Sequence, residues 1–344
     1  MGFSVERNNY VSVQALGMAL AQDLVANGFT LVAVNGSDVN PTPSSSSTYY
    51  VFQPTAAVDP IDQSWRLVLA ASDDNGGTMR FWACHETQVN SDSSYTVVNN
   101  GASTQSGHMY SGNDVAGAKA YFLARSNAET NWSCFKQNGV DPRAIPLSYL
   151  VSISDHGISF FVWAESFDRA GDCFSWFTVQ RPVQKDGTVV STGKSPLFCV
   201  FCWSGGGDTD VALSEDLASV GNRIQKFVVY ETDVNAPTAP DSACISGPDS
   251  RAIINPLQQV ALSEDNQFVV YFPQGVNTQR FAYPYELDMV AYTSADVITQ
   301  DQEVPLTLYG EAQPRVYRGM QANFPKNTGM RMLCLVEGSG IAAS

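Results

Sequence analysis

Four apolar runs between residues 147 and 204 constrain the fold more than any other part of the chain. They are rich in Val, Ile, Phe, Trp and Tyr, which favour β-strands, and comprise Leu147–Ser154, Ile158–Ala164, Cys173–Val179 and Leu197–Trp203. Only Asp155-His156-Gly157 separates the first two runs, and Lys185-Asp186-Gly187 lies between the last two. Short segments of this composition form tight turns. We therefore predict an antiparallel meander, which the rest of the chain must cover.

Several words in this segment and near the C-terminus resemble virion structural proteins of large contractile-tailed bacteriophages. The words are ISDHGISFFVW, FSWFTVQRPVQKDG, SPLFCVF, YELDMVAYTSADV and VPLTLYGEAQPRVYRGMQANFPKNTGMRMLCLVEG. The resemblance implies a structural component of the tail or baseplate that assembles with copies of itself and with other virion proteins. It implies recurrent words at Phe174–Gly187 and Tyr285–Val297, and no functional residues.

The composition favours strands joined by turns, with one helix. Lys and Arg total only 19, whereas Gly reaches 26, Pro 17 and aromatic residues 11%. The segment Val11–Ala26 is the strongest helix candidate because its apolar residues recur at three- and four-residue spacing. Asn27-Gly28 is a typical helix stop. We expect a mainly β (α+β) fold, with an antiparallel meander or sandwich-like sheets and an N-terminal amphipathic helix that feeds a sheet.

Other local patterns predict further elements. Phe29–Val34 and Tyr49–Phe52 are typical of strands. A hairpin is predicted from Trp65–Ala71 and Met79–Val89, because Asp73-Asp74-Asn75-Gly76-Gly77 lies between them. The adjacent carboxylates Asp73 and Asp74 are better explained by this turn than by a metal site. Asp114–Arg125 has the composition of a short second helix.

A Gly-rich stretch near Gly206 predicts a boundary between two regions. Residues 1–206 would hold the helix and an antiparallel β core, and residues 207–344 a second β-rich region. The second region contains a partial internal repeat, because VALSED and then FVVY occur in both 211–230 and 260–271. We interpret the copies as two similar turn-plus-strand units. On that hypothesis both FVVY words form strands.

Charge and hydropathy argue against several partners. The net charge is −15 and no basic cluster occurs, which disfavours nucleic acid and anionic membrane surfaces. No apolar run approaches the roughly 20 residues that span a bilayer, and the N-terminus lacks a signal-peptide pattern. Seven cysteines at irregular spacing do not form a secreted disulfide framework. We expect synthesis in the host bacterial cytoplasm and a final location in the virion.

Candidate metal and thiol chemistry is weak in this sequence. None of His85, His108 and His156 has a Cys or His neighbour at ligand spacing. The single CxxC, Cys199–Cys202, falls in an apolar run, where residues three apart point to opposite faces of a strand. We therefore predict no metal site and no cofactor.

Candidate catalytic groups are equally sparse. The motifs GxSxG, Walker A, GxGxxG and HExxH are absent. A Ser-His-Asp arrangement could be assembled from His156, Asp155 and a serine, although His156 in Asp-His-Gly is better interpreted as a turn residue. Paired acids for glycoside cleavage could come from Glu165, Asp168 and Asp172, beside Trp163, Phe167 and Trp176. We expect no enzymatic activity and no catalytic residues.

The sequence thus favours a non-enzymatic virion component that forms a homo-oligomer within the particle. Exposed strand edges could receive partner strands. Candidate contact residues are Trp132, Arg315, Tyr317 and Arg318. The alternatives are a carbohydrate-binding or glycan-degrading receptor module at the tail tip, a head decoration or neck protein, and a scaffolding factor absent from the finished particle.

Overall fold

A computed structural model describes a large part of the chain and gives a mainly β fold. The described residues are 3–34, 48–61, 63, 65–73, 78–84, 86–89, 95–98, 123–124, 145–164, 174–184, 188–189, 196–204, 224–231, 244–246, 260–262, 269–272, 274–276, 282–294, 296–307, 313–323 and 330–337. Within these ranges the structure has one helix near the N-terminus, and every strand pairing is antiparallel. The predicted fold class is confirmed.

The elements follow one another in chain order as β1 Phe3–Tyr10, α1 Val13–Ala26, β2 Phe29–Val34, β3 Thr48–Pro54, β4 Arg66–Ser72, β5 Thr78–Cys84, β6 Glu86–Val89, β7 Tyr95–Val98, β8 Leu123–Ala124, β9 Leu147–Ser154, β10 Gly157–Ala164, β11 Phe174–Gln180, β12 Pro196–Ser204, β13 Ile224–Glu231, β14 Cys244–Ser246, β15 Val260–Leu262, β16 Val269–Tyr271, β17 Gln274–Val276, β18 Ala282–Glu286, β19 Val290–Ser294, β20 Glu303–Leu306, β21 Arg315–Asn323 and β22 Met330–Glu337.

These strands form three larger sheets and two small ones. Sheet 1 has the order β1-β9-β10-β11-β12-β13, sheet 2 the order β2-β3-β4-β5-β8, and sheet 3 the order β15-β16-β19-β22-β21-β20. The small sheets are β14-β17-β18 and β6-β7. The predicted meander is the centre of sheet 1, because β9, β10, β11 and β12 pair in sequence.

Sheet 1 is the middle layer of the described fold. Its strand β9 is buried along its whole length, so both faces of the sheet are covered. One face packs into an apolar core with the helix α1 and sheet 2. On the other face, β22 of sheet 3 lies against β1 and β9. The covering layers that the apolar meander requires are therefore supplied from both ends of the chain.

Capping residues define both ends of the helix α1. The Ser12 hydroxyl accepts a hydrogen bond from the Ala15 N–H, and the Asp73 carboxylate accepts one from the Val13 N–H. The helix ends at Asn27, and Gly28 follows with φ of +104°, a left-handed conformation that favours glycine. The helix prediction is confirmed from residue 13 onward. A strand that was not predicted, β1, precedes the helix and pairs with β9.

The hairpin β9–β10 has a tighter turn than its three-residue loop predicted. Ser154 pairs with Gly157, so Asp155 and His156 alone form the turn. A Cβ atom at Gly157 would overlap the carbonyl oxygen of Val179 on β11. Glycine is therefore required here because the neighbouring backbone approaches so closely.

Predictions for the remaining segments have mixed outcomes. The hairpin β4–β5 is present. The predicted second helix, Asp114–Arg125, is wrong at Leu123–Ala124, which forms a strand paired with β5. The rest of that predicted helix lies outside the described residues. The first FVVY word lies in β13 at the edge of sheet 1, and Val269–Tyr271 of the second form β16 inside sheet 3, while Phe268 and the first VALSED lie outside the described residues. Sheet 1 continues past residue 206 through β13, and the division into two domains stays a prediction.

Two outer strands of the described sheets have features that hinder pairing with another chain. The edge strand β1 is irregular between Arg7 and Tyr10, where Asn9 has φ of 70°. The edge strand β20 contains Pro305, which lacks a backbone donor. Bulges and prolines at sheet edges prevent uncontrolled strand addition. These two edges therefore do not fit the predicted role of receiving a partner strand.

Candidate functional site

A buried group of charged residues joins the turn of the β9–β10 hairpin to sheet 3. We call Asp155, His156, Asp288 and Arg315 the ionic cluster. The side chains of His156, Asp288 and Arg315 are at most 1% exposed, whereas Asp155 is 41% exposed. Charged side chains are rarely this buried unless they are paired, so each of these groups is expected to have a partner of opposite charge.

The imidazole of His156 is held from both sides. Its Nε2 lies 2.8 Å from Oδ1 of Asp288, and its Nδ1 lies 3.0 Å from Oδ1 of Asp155. Asp288 precedes β19, so the first contact crosses from sheet 1 to sheet 3. The hairpin turn positions the ring, because only two residues connect β9 to β10.

Asp288 is the centre of the cluster on the side of sheet 3. Its second oxygen, Oδ2, accepts a hydrogen bond from Nη1 of Arg315, at the start of β21. The hydroxyl of Tyr317 donates to the backbone carbonyl of Asp288 over 2.7 Å. One carboxylate therefore receives two cationic groups, from two sheets.

The charges in this cluster stabilise one another. Burial lowers the pKa of His156, but the charge of Asp288 and hydrogen bonds with Asp155 and Asp288 outweigh it and raise the pKa from 6.5 to about 9. Burial raises the pKa of Asp288, but the charges of His156 and Arg315 hold it well below its usual range. At neutral pH the imidazole is therefore a cation that donates from both nitrogens, and Asp288 is an anion.

A second buried pair lies directly behind the same turn. The backbone N–H of Arg181 donates to the carbonyl oxygen of His156 over 2.7 Å. The Arg181 guanidinium donates to Oδ2 of Asp59 from Nε at 3.0 Å and from Nη2 at 2.8 Å. That same oxygen accepts from Nε1 of Trp65 over 2.9 Å. We call Asp59 and Arg181 the Asp59 pair; it ties the end of β11 to the segment that follows β3.

With Ser154, the ionic cluster has the residue types of a Ser-His-Asp triad, but it lacks the exposed serine and the neutral imidazole that a triad uses. Ser154 Oγ lies 3.1 Å from Nδ1 of His156, and Asp288 lies at the other ring nitrogen. A triad needs a neutral imidazole that accepts the serine proton. Here the imidazole is protonated and Ser154 has no exposed surface. His156, Asp288 and Arg315 form an ion-pair network that links sheets 1 and 3.

This geometry refines the interpretation of His156 as a turn residue. His156 does occupy the turn, and in addition its ring forms the link to sheet 3. Asp59, Arg181 and Asp288 were not singled out from the sequence. For Asp288 the sequence does carry a signal, because a carboxylate between Leu287 and Met289 in an apolar run must find a buried partner.

The predicted contact residues divide into buried and surface groups. The prediction that Arg315 and Tyr317 provide outward contacts is wrong, because both are fully buried. Arg315 can be buried because Asp288 neutralises it. Arg318 is 25% exposed and pairs with Glu6 at 2.8 Å and with Asp301 at 3.2 Å. Trp132 lies outside the described residues.

The carboxylates predicted for glycan cleavage, Glu165, Asp168 and Asp172, lie outside the described residues, as does Phe167. Trp163 is described and is only 8% exposed, so it does not form an open aromatic platform.

The other residues weighed for metal or thiol chemistry have varied positions. His85, His108 and Asp74 lie outside the described residues. Asp73 is described and caps the helix α1. Cys199 and Cys202 lie in strand β12 as predicted, and their side chains are not described.

Within the described ranges, no three His, Cys, Asp or Glu side chains are placed to share a metal ion. Nor does the described helix have the length and apolar character needed to cross a bilayer. Cys334 is a free thiol, and burial raises its pKa.

Comparison with known proteins gives no relative: no family model, no curated protein and no solved structure matches the chain.

The protonation of His156 predicts a specific pH dependence of stability. Because its folded-state pKa is about 9 and lies above 6.5, its contribution is fully present below about pH 6.5 and is lost as the pH rises through about 9. We expect the free energy of unfolding to fall by about 2–3 kcal/mol over this window. Urea denaturation across the window measures it. A His156→Gln variant serves as the control and should lose most of this slope; an equal slope in both proteins would contradict the prediction.

Proposed function

We propose that this chain is a non-enzymatic structural component of a tailed-bacteriophage virion, located in the tail or baseplate. It works by assembling with copies of itself and with other virion proteins. The proposal joins two lines of support. One is the resemblance of several sequence segments to virion proteins of contractile-tailed phages. The other is the place in the fold where the side chains of those segments meet.

The words that carry the resemblance meet at one place. His156 lies in ISDHGISFFVW and Arg181 in FSWFTVQRPVQKDG, while Asp288 lies in YELDMVAYTSADV. Arg315 lies in the long C-terminal word. These four side chains are fully buried, and all belong to the ionic cluster or to the Asp59 pair. This convergence is the observation that carries the proposal.

The segments that carry the resemblance meet in a buried network of charged side chains. This favours a structural role for those segments. His156 pairs with Asp288 across sheets 1 and 3, Arg181 pairs with Asp59 of the segment after β3, and these four side chains are at most 1% exposed. A catalytic site requires a group that contacts a reacting molecule. We infer that these segments build a rigid layered body, which suits a protein that repeats in an ordered particle.

Purified particles of the phage that encodes this chain test the proposal. We expect mass spectrometry to find the chain in the particles, and averaged images to place it in symmetry-related copies in the tail or baseplate. Absence of the chain from purified particles would contradict the proposal and favour a scaffolding role. Incubation of the protein with host polysaccharide, compared with a heat-denatured sample, should release no fragments; measurable cleavage would favour the glycan-degrading alternative.

A further inference from the structure

The helix α1 has a buried inner face, and the side that faces water carries no charge. The inner face consists of fully buried residues of the core, namely Val13, Leu16, Leu20 and Leu24. The one charged residue of the helix, Asp23, is only 5% exposed, and its carboxylate accepts hydrogen bonds from Arg7 and Tyr149. The charge of the helix is therefore used inside the fold.

Four residues form what we call the outer face of α1: Ala15, Met18, Gln22 and Val25. Their spacing of three, four and three residues places them within about 80° of one another around the helix. Val25 is 46% exposed and Gln22 is exposed, whereas Ala15 and Met18 are half-buried. A helix on the surface of a globular protein normally has charged residues on this side, and a helix that is apolar all round is normally buried. The outer face therefore has the composition of a surface that a partner covers.

The order of residues along the outer face allows two copies of it to fit together. The spacing of three, four and three residues is that of the contact positions in a coiled coil. In an antiparallel pair, Ala15 lies opposite Val25 and Met18 opposite Gln22, so that a small side chain meets a branched one and two long side chains meet. This register aligns the midpoints of the two helices to within about one residue. A parallel pair would instead leave a gap where Ala15 faces Ala15.

Electrostatics also favour a second copy as the partner. With a net charge of −15, copies of the chain repel one another at neutral pH. Contact through the outer face brings no charged side chains of α1 together, and antiparallel helices place opposite ends of their dipoles side by side. A cationic partner would find no anion on this face. The outer face is therefore a surface through which two such acidic chains can meet.

We propose that two copies of this chain associate through the outer faces of their α1 helices, packed antiparallel about a two-fold axis. Both copies use the same residues, so the contact is isologous. The helix has 14 residues and is about 21 Å long. A contact along it is smaller than the roughly 800 Å² per partner of a stable dimer. The pairing is therefore weak between isolated copies and becomes effective where copies are already held side by side.

Disulfide trapping in the full chain tests the antiparallel register. Ala15→Cys and Val25→Cys face each other in the proposed pair, whereas two copies of either position lie about 15 Å apart along the helix axis. A disulfide needs Cα atoms within about 7 Å of each other. Under mild oxidation, we expect a mixture of the two variants to form a covalent dimer at least about fivefold faster than either variant alone or wild type, whose native cysteines set the background. A mixture that reacts no faster than its separate components would overturn the proposal.

Val25→Glu tests the contact without new thiols, and Val297→Glu is its matched control. Val297 is also exposed, at 43%, and lies between β19 and β20. Both variants add the same charge to the chain, but only Val25→Glu places it in the proposed contact. By sedimentation at high protein concentration, we expect a dissociation constant at least about tenfold higher for Val25→Glu than for Val297→Glu, which should resemble wild type. Equal self-association of the two folded variants would contradict the pairing.

Labelling of Met18→Cys in dilute protein separates the other occupants of the outer face. If another segment of the same chain covers the face, this cysteine does not react with a water-soluble maleimide. If a different protein binds there, the cysteine reacts, but the mixture of Ala15→Cys and Val25→Cys forms no dimer above background. Either result would overturn the proposal.

This inference rests on the self-assembly in the proposed function, and the two can fail separately. Absence of the cross-links, with the chain present in purified particles, would refute the helix pairing alone. Cross-links in the purified protein, with the chain absent from particles, would support the pairing and refute the virion assignment.

Discussion

Replacing Asp288 with asparagine should lower the free energy of unfolding by about 3–5 kcal/mol, because the change removes the buried carboxylate that pairs with both His156 and Arg315. The Asp288 carboxylate contacts both His156 and Arg315, and all three side chains are at most 1% exposed. Asparagine has a similar shape, so the loss reports charge and not packing. Urea denaturation at about pH 7 measures it.

The matched control is Asp155→Asn, which removes the other carboxylate beside His156. Asp155 is 41% exposed, so water solvates its charge and the pair is weak. We expect its effect to stay below about 1 kcal/mol. If the two variants were equally destabilised, the buried position of Asp288 would not be the cause, and the interpretation of the ionic cluster would fail.

Replacing Asp59 with alanine should also cost about 3–5 kcal/mol, through a different set of contacts. Asp59 neutralises the buried guanidinium of Arg181 and accepts the indole N–H of Trp65. Alanine would remove the buried ion pair with Arg181 and the acceptor of the indole N–H. Thermal and urea denaturation measure the loss.

Asp296→Ala provides the control for Asp59→Ala, since Asp296 is an exposed carboxylate in a loop. We expect a change within about 0.5 kcal/mol. A double variant of Asp59→Ala with Arg181→Met adds a sharper test. It removes both charges, so it should be more stable than Asp59→Ala alone; a further loss of stability would show that packing, not charge, dominates at this site.

Local patterns predicted the parts of the fold that depend on nearby residues. The meander β9–β12 and the helix α1 follow from apolar periodicity and from turn residues within about ten positions of one another. The strand β1 was missed because its second half, Arg7-Asn8-Asn9, is polar and lacks strand alternation. It is a strand because β9 supplies a partner far along the chain, and no local pattern contains that information.

The ionic cluster could be predicted only in part, for the same reason. His156 and Asp288 are 132 residues apart, and only the stacking of two sheets brings them together. The sequence places His156 in a turn but does not show which anion faces it. The buried state of Arg315 was missed because an arginine close to a tyrosine is equally typical of a protein interface. A charged residue inside an apolar run, as at Asp288, was the available signal.

The proline in β20 and the irregular strand β1 have a consequence for when the protein associates. A protein whose edge strands pair with any exposed strand self-associates as soon as its concentration is high enough. Pro305 in β20 and Asn9 in β1 hinder such pairing at these two edge strands. If the proposed virion role holds, copies would therefore not associate through these two edges as they accumulate, and assembly would use other surfaces of the protein.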